Sequence, residues 1–308
     1  NQFGLSGHSM GGGASILAAS DPRIHAVANL AAANTNPSSI AASALVRVPM
    51  LLLSGSADTI VPVASNGQQM YNTTPAPRLL PVIQGGSHCG FQDVSILGCD
   101  AIVMPRATQL ELTRRQLTTF FNLHLKDQDA LWPRVWGPEA DADARITTAR
   151  DPRVTLSPAN PAVTGFIGAT ASQTFLLTNT GPDATALRVD VAGPWQATAL
   201  PATTAPLAPG AQATVRVDVQ VPPGAATPAD FVVRVVRALD AHTSAWTRLT
   251  VTPACRPDLN ADAELTFDDI QQFVALYNAN DPRADFNDDQ EWTFDDVQAF
   301  IAAFNAGC

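Results

Sequence analysis

The hydrophobic pattern of this chain changes twice along its 308 residues, and a single fold does not accommodate all three patterns. Residues 1–135 alternate short apolar runs with helix-like stretches. Residues 154–253 are rich in Val, Thr, Ala and Pro at alternating positions, and residues 255–308 hold a short internal repeat. The length suits roughly two domains of about 150 residues. We therefore predict a multidomain chain whose first two units are joined by a polar linker over 136–153.

The pattern of residues 1–135 predicts strands that are separated by helices. Short apolar runs predict buried strands at Ile24–Leu30, Pro49–Leu53 and Leu79–Ile83. Helical periodicity predicts helices at Ala14–Ala19 and Leu110–Leu125. Alternation of this kind is typical of a parallel sheet with helical crossovers.

The negative charge of the chain is local. The formal net charge is −10, and residues 255–308 alone carry twelve acidic and two basic residues. Acidic and basic residues balance over 1–254, so the chain has no basic footprint for a nucleic acid. No apolar run reaches the roughly 18 residues of a membrane-spanning helix.

The stretch Phe3–Gly13, FGLSGHSMGGG, contains the pattern G-x-S-x-G centred on Ser9. That pattern marks a nucleophilic serine on a sharp turn between a strand and a helix. We predict the strand at Asn1–Ser6 and the helix at Gly12–Ala19. A serine of this kind needs a histidine base and an acid that orients it.

An acid and a histidine follow in the order that this motif requires. Asp58 comes after the second predicted strand in SGSADTIVP, and His88 comes after the third in GGSHCGF. Both would lie beyond the carboxyl ends of parallel strands, where ligand sites of open α/β sheets form. Two alternatives stay open: Ser9 could sit on a plain glycine-rich turn, and Asp58 could cap a helix N-terminus.

The segments GHSMGGG, LLLSGSADTIVP and GGSHCGF resemble α/β-hydrolases of the dienelactone hydrolase, cutinase-like and polyester-hydrolase kind, over about residues 1–130. The resemblance implies that Ser9 is the nucleophile, His88 the base and Asp58 its orienting acid. It further implies that the Met10 N–H forms half of the oxyanion hole, and that the substrates are carboxylic esters, polymers included. Because these families place several strands before the serine turn, the resemblance also implies an N-terminally truncated fragment that is inactive alone.

The sequence leaves two interpretations open for the residues beside the motif, and more than one for the function of the protein. Met10 and Phe91 either line an acyl pocket or pack in the core, and His8 is expected to pack at the turn. A peptidase or amidase on the same fold is an alternative to the esterase. An alternative from another class is a non-catalytic adhesion or scaffold protein with a decayed hydrolase core.

Residues 154–253 predict an all-β sandwich. Alternating segments separated by turn signals predict strands at Gln173–Thr178, Ala186–Val191, Ala213–Val221, Phe231–Val236 and Thr247–Val251. The TNTG turn and the LAPG-then-strand pattern resemble bacterial immunoglobulin-like accessory domains. This resemblance implies a spacer or docking module.

The acidic segment contains two copies of one motif, offset by 27 residues and beginning at Asp258 and Asp285. Oxygen ligands at this spacing suit calcium, and Thr266 and Thr293 predict capping boxes for two following helices. The expected ligands of two structural calcium ions are Asp258, Asn260, Asp262, Glu264 and Asp269, and Asp285, Asn287, Asp289, Glu291 and Asp296. An acidic helical hairpin without metal is the alternative.

The paired loops resemble the dockerin family over nearly all of residues 258–304. The resemblance implies a small α-helical, EF-hand-like module of a secreted protein, with a cohesin-like or cell-surface partner. One departure is that Ala263 and Gln290 stand where the family's loops usually carry glycine. A residue other than glycine at this sharp turn is strained.

The four cysteines predict two local disulfides, Cys89–Cys99 and Cys255–Cys308, with four buried thiols as the alternative. Disulfides form in oxidising compartments. The sequence therefore favours a secreted or cell-surface protein on the extracellular or periplasmic side of a bacterial-type cell.

Overall fold

The computed structural model describes residues 2–94, 97–238, 243–260, 262 and 264–307. Its strands form one five-stranded sheet and two four-stranded sheets, and two helices follow them. This mixed content agrees with a multidomain organisation. In the described residues, no helix combines the length and the apolar character needed to cross a membrane.

The five-stranded sheet has the order β1-β2-β3-β4-β5, and its first four strands are parallel. The edge strand β1 pairs with β2. Its strands are β1 (Phe3–His8), β2 (Ile24–Leu30), β3 (Met50–Gly55), β4 (Arg78–Ile83) and β5 (Ile146–Asp151). The helices of this unit are α1 (Met10–Leu17), α2 (Ser39–Ser43), α3 (Gly67–Thr73), α4 (Arg106–Leu125) and α5 (Trp132–Val135).

The central strands of this sheet are buried on both faces, which is why they read as continuous apolar runs. Alternate residues of β3 enter different cores, Leu51 and Leu53 on one face and Met50 and Leu52 on the other. Phe120 of α4 closes the first face. Ile16 of α1 and Met70 of α3 close the second face.

The expected linker over 136–153 was wrong for residues 146–151. These residues form β5, which pairs antiparallel with β4, and Ile146 lies opposite Ile83. Ile146 is the one fully buried residue of the strand. An edge strand with a single buried side chain gives no apolar run, so the sequence pattern did not reveal it.

The described residues between 154 and 254 form two four-stranded sheets, with the orders β10-β11-β8-β6 and β7-β13-β12-β9. Phe175 and Val217 of the first sheet and Phe231 and Leu249 of the second belong to one buried cluster, so the two sheets face each other. The strands are β6 (Val154–Ser157), β7 (Ala162–Phe166), β8 (Thr170–Asn179), β9 (Leu187–Ala192), β10 (Ala197–Leu200), β11 (Gln212–Gln220), β12 (Ala229–Arg237) and β13 (Thr243–Ala254). The immunoglobulin-like description stays a prediction from sequence.

The last unit pairs helices α6 (Phe267–Asn278) and α7 (Phe294–Ala306) around a small aromatic core. Phe273 and Phe300 stack with their ring centroids 4.1 Å apart, and Phe286 packs edge-on against both rings. Both helices begin with the predicted capping boxes.

The five-stranded sheet and the sandwich share a continuous core, because Trp132 and Trp136 belong to the same buried cluster as the sandwich residues. Arg234 of β12 adds an ion pair to Asp129, which lies just before α5. The segment between α4 and β5 therefore packs against the sandwich.

The place of β5 in the sheet can be tested by truncating its buried residue. Ile146→Ala should lower the free energy of unfolding by about 2–5 kcal/mol, because it leaves a cavity against β4. Ala149→Ser, at an exposed position of the same strand, should change it by less than about 0.5 kcal/mol. Urea denaturation measures both; equal, negligible effects would mean that the segment is a linker.

Candidate functional site

The turn between β1 and α1 holds Ser9 in a strained backbone conformation. Its φ is 57° and its ψ is −122°, a region that residues other than glycine rarely adopt. The Ser9 N–H donates to the Leu30 carbonyl (3.0 Å), and the Ser9 carbonyl accepts from the N–H groups of Gly13 (3.1 Å) and Ala33 (3.0 Å). These backbone bonds to α1 and to the end of β2 hold the turn in place.

Close backbone approach explains two of the glycines around Ser9. A Cβ on Gly7 would lie 2.2 Å from the Gly11 carbonyl oxygen, and one on Gly13 would lie 2.4 Å from the Ala33 carbonyl oxygen. A Cβ on Gly11 would meet nothing within 4 Å. Steric crowding therefore requires the first glycine of G-x-S-x-G but not the second.

Met10 is the first residue of α1. The first N–H groups of a helix have no carbonyl partner within it, so the Met10 N–H points out of the helix start beside Ser9. The Met10 side chain is 72% exposed. It does not pack in the core of the described chain.

Asp58 and His88 lie just beyond the carboxyl ends of β3 and β4, and their side chains are in direct contact. Asp58 Oδ2 and His88 Nδ1 are 2.8 Å apart, and the Asp58 side chain is fully buried. The other carboxylate oxygen, Oδ1, accepts from the N–H groups of Ile60 (2.9 Å) and Val61 (2.6 Å). Asp58 thus caps the following turn and also holds the imidazole, so the two interpretations from sequence are compatible.

Asp100 supports the backbone of the histidine loop, and sequence reasoning missed it. Its Oδ2 accepts from the His88 N–H (2.7 Å) and its Oδ1 from the Cys89 N–H (3.0 Å). A disulfide joins Cys89 to Cys99, the residue before Asp100. Asp100 follows His88 in the chain, outside the Ser-acid-His order, and its place directly after Cys99 was the available signal.

A second clamp on this loop comes from α4. Gln109 is fully buried. Its amide accepts from the Ser87 N–H (3.1 Å) and donates to the Ser87 carbonyl (2.8 Å). A Cβ on Gly90 would lie 1.9 Å from Gln109 Oε1, so the loop packs tightly against this amide. No feature of the sequence separates Gln109 from the other polar residues of the helix.

His8 packs against the His88 ring, with ring centroids 4.5 Å apart. Burial lowers the pKa of His8, and the neighbouring His88 lowers it further. Its buried Nε2 has no hydrogen-bond partner in the described structure. Phe91 is buried in the main core cluster and lies 6.0 Å from the His8 ring, so it serves as packing behind the two histidines.

A separate acidic group lies in the second loop of the C-terminal repeat. Carboxylate oxygens of Asp285, Asp289 and Asp296 lie within 4.8 Å of one another. Calcium binds oxygen at about 2.3–2.6 Å, so one ion fits between them. Among the described residues, this is the one group of three or more acidic, histidine or cysteine side chains close enough to share an ion.

The two loops repeat the same internal hydrogen bonds. Asp296 Oδ1 accepts from the Phe286 N–H (2.8 Å), as Asp269 Oδ1 accepts from the Leu259 N–H (2.9 Å). Burial tends to raise the pKa of Asp296, but bonds from backbone N–H groups outweigh it, so the pKa is lowered. Gln290, at the position where glycine was expected, has a φ of 66°, the predicted strain.

Two residues named from the sequence, Ala263 and Cys308, lie outside the described residues. The disulfide predicted between Cys255 and Cys308 therefore stays a prediction. Cys255 is disulfide-bonded.

Comparison with known proteins is informative for the first part of the chain. Residues 1–97 match a family model described as PET hydrolase-like. The match supports a polyester hydrolase-like α/β-hydrolase for this part of the chain, which contains Ser9, Asp58 and His88. No curated protein matches the chain.

A solved structure titled "Structure of WR4, a C.elegans MSP family member" is also similar to part of the chain. It covers 34% of this chain and 100% of its own, at 9% identity and a TM-score of 0.26. A similarity this low carries no argument about fold or function.

The support that Asp100 gives to the histidine loop can be measured directly. Asp100→Ala should speed amide hydrogen exchange at His88 and Cys89 about 10- to 100-fold, because each amide loses a charged acceptor. Asp100→Asn keeps one acceptor oxygen and should give a smaller effect. Asp93→Ala, an exposed acid in the same loop, should leave both amides unchanged; unchanged exchange in Asp100→Ala would contradict the assignment.

Proposed function

We propose that this protein is a serine hydrolase of carboxylic esters, with Ser9 as nucleophile, His88 as general base and Asp58 as its orienting acid. The observation that carries the proposal is the 2.8 Å contact between buried Asp58 and His88 Nδ1, in a segment that matches the PET hydrolase-like family. The strained turn at Ser9 supports it, because nucleophilic serines of this fold sit on such turns.

The contact with Asp58 selects the tautomer in which His88 would work. A carboxylate on Nδ1 favours the tautomer that carries its proton there, which leaves Nε2 free to accept the Ser9 hydroxyl proton. Ser9 Oγ would then attack the ester carbonyl, and the developing oxyanion would accept a hydrogen bond from the Met10 N–H. His88 Nε2 returns the proton to the leaving alcohol, and water repeats the sequence to release the acid.

The family match favours esters over amides, because the family is described by a polyester substrate. We propose polymeric esters among the substrates, with the exposed Met10 side chain beside Ser9 as an apolar contact for them. A peptidase or amidase with the same residues is the alternative, and a decayed, non-catalytic core is the alternative from another class.

We propose that the C-terminal loops bind structural calcium. The ligands of the second loop would be Asp285, Asn287, Asp289, Asp296 and the Glu291 carbonyl. The first loop would use Asp258, Asn260, Asp262, Asp269 and the Glu264 carbonyl. The convergence of three carboxylates in the second loop supports this proposal, because a divalent cation would offset their mutual repulsion.

The remaining units suggest an extracellular role. We propose that the sandwich is an immunoglobulin-like spacer and that the paired helices dock a cohesin-like or cell-surface partner. The Cys89–Cys99 disulfide supports a secreted or cell-surface location.

Ester turnover tests the catalytic roles, and turnover by residues 1–308 would correct the expectation that they are inactive alone. Ser9→Ala should abolish hydrolysis of a p-nitrophenyl ester, and Asp58→Asn should lower kcat about 10⁴-fold because His88 loses its favoured tautomer. Asp93→Asn, the control, should retain full activity. Peptide hydrolysis that exceeds ester hydrolysis would favour the peptidase. Equal turnover in Ser9→Ala and the parent protein would exclude Ser9 as nucleophile.

Calcium titration of the full chain tests the proposed loops. Asp289→Asn should weaken calcium binding at least about tenfold, equivalent to about 1.4 kcal/mol, because one charged ligand is lost. Asp295→Asn removes the same charge from an exposed position next to Asp296 and should leave the affinity nearly unchanged. Isothermal titration calorimetry measures both. The proposal would be contradicted if the parent protein and both variants showed no heat of calcium binding, or if all three showed the same heat.

A further inference from the structure

A cavity of about 210 Å³ lies between the five-stranded sheet and the sandwich. Pro49 and Pro77, which line it, precede β3 and β4. The cavity is therefore at the amino ends of these strands, whereas Asp58 and His88 follow their carboxyl ends. It is separate from the proposed catalytic site.

Arg153 carries a buried charge into this cavity. The residue is 7% exposed, and it lines the cavity wall at the point where the chain passes from β5 to β6. Its guanidinium donates one hydrogen bond, to the Arg47 carbonyl at 2.8 Å. No carboxylate of the described chain lies within ion-pair distance of it. Its other guanidinium nitrogens are not among the buried side-chain atoms that lack a hydrogen-bond partner, so they reach the open space of the cavity and can donate to a ligand there.

Two other arginines around the cavity add to its positive character. Arg47 and Arg237 also line it, together with the imidazoles of His25 and His124, and the described lining residues include no Asp or Glu. The pKa of Arg153 is lowered to about 10, mainly by burial; Arg237 and Arg47 also lower it, and Asp183 partly opposes them.

The uncharged part of the lining is apolar and aromatic. Trp132 and Trp136 are both buried at this wall, and the Trp136 Nε1–H donates to His124 Nε2 at 3.2 Å. Pro49, Pro77 and Pro152 complete the apolar lining. The cavity thus offers a guanidinium fork beside flat apolar surfaces, which matches the two ends of an aromatic acid.

We propose that this cavity binds a small aromatic carboxylate, with the carboxylate on Arg153 and the ring against Trp132 and Trp136. The anion would supply the negative charge that the described lining residues lack. Its binding would stabilise the junction between the sheet and the sandwich, because residues of both units line the cavity. The site is independent of the proposed esterase chemistry.

Calorimetry with benzoate, at constant ionic strength, tests this proposal on the full chain. Benzoate should bind and raise the melting temperature, whereas benzamide, its neutral isostere, should do neither. Arg153→Met should weaken benzoate binding at least tenfold. The same change should raise the melting temperature of the unliganded protein, since it removes a buried charge that lacks a partner.

Two further variants and one further anion complete the test. Arg47→Gln, at an exposed position, should also weaken benzoate binding and serves if Arg153→Met does not fold. Arg23→Gln removes an exposed positive charge elsewhere and should bind benzoate as the parent protein does. Equal binding of benzoate and benzamide, equal stabilisation by inorganic phosphate, or unchanged affinity in both Arg153→Met and Arg47→Gln would overturn the proposal.

Discussion

The carboxylate of Asp58 is fully buried, and a buried charge is tolerated only where the surrounding structure supplies its hydrogen bonds. Three groups do so: two backbone N–H groups of the following turn and the ring of His88. Each comes from a loop at the carboxyl end of a parallel strand. The order of the sheet therefore brings the donors to Asp58, and Asp58 in turn determines where the His88 ring lies.

The His88 ring can stay against Asp58 only if the loop that carries it is fixed, and several hydrogen bonds hold the backbone of that loop. The carboxylate of Asp100 holds the backbone of the loop from one side, and the Gln109 amide holds it from the other. The Cys89–Cys99 disulfide keeps Asp100 close to the amides that it accepts from. The imidazole is thus positioned through its ring by Asp58, and the backbone of its loop is held by Asp100 and Gln109.

Elsewhere in the chain, buried charged groups differ in the number of hydrogen bonds that other residues of the chain make to them. Asp296 accepts three backbone N–H groups within its own loop, so the fold of that loop provides for it. Arg153 donates a single hydrogen bond. This contrast supports the ligand that we propose beside Arg153, whereas the carboxylates of the repeat are satisfied by local hydrogen bonds and, in our proposal, by a shared cation.

Local patterns in the sequence predicted the features that depend on neighbouring residues. The run of β2 and the capping boxes at Thr266 and Thr293 are of this kind. Features that arise from distant pairing were missed. The edge strand β5 has one buried residue and pairs with a strand far back in the chain, and Gln109 reaches Ser87 only after α4 packs against the sheet.

The most direct test of the central claim is the site of a covalent adduct. The intact protein would be treated with a fluorophosphonate and digested, and the modified peptide would be sequenced by mass spectrometry. If Asp58 and His88 activate Ser9, the adduct will be found on Ser9 in GHSMGGG and will be lost in His88→Ala. An adduct on another residue, or labelling of Ser9 that persists unchanged in His88→Ala, would contradict this account.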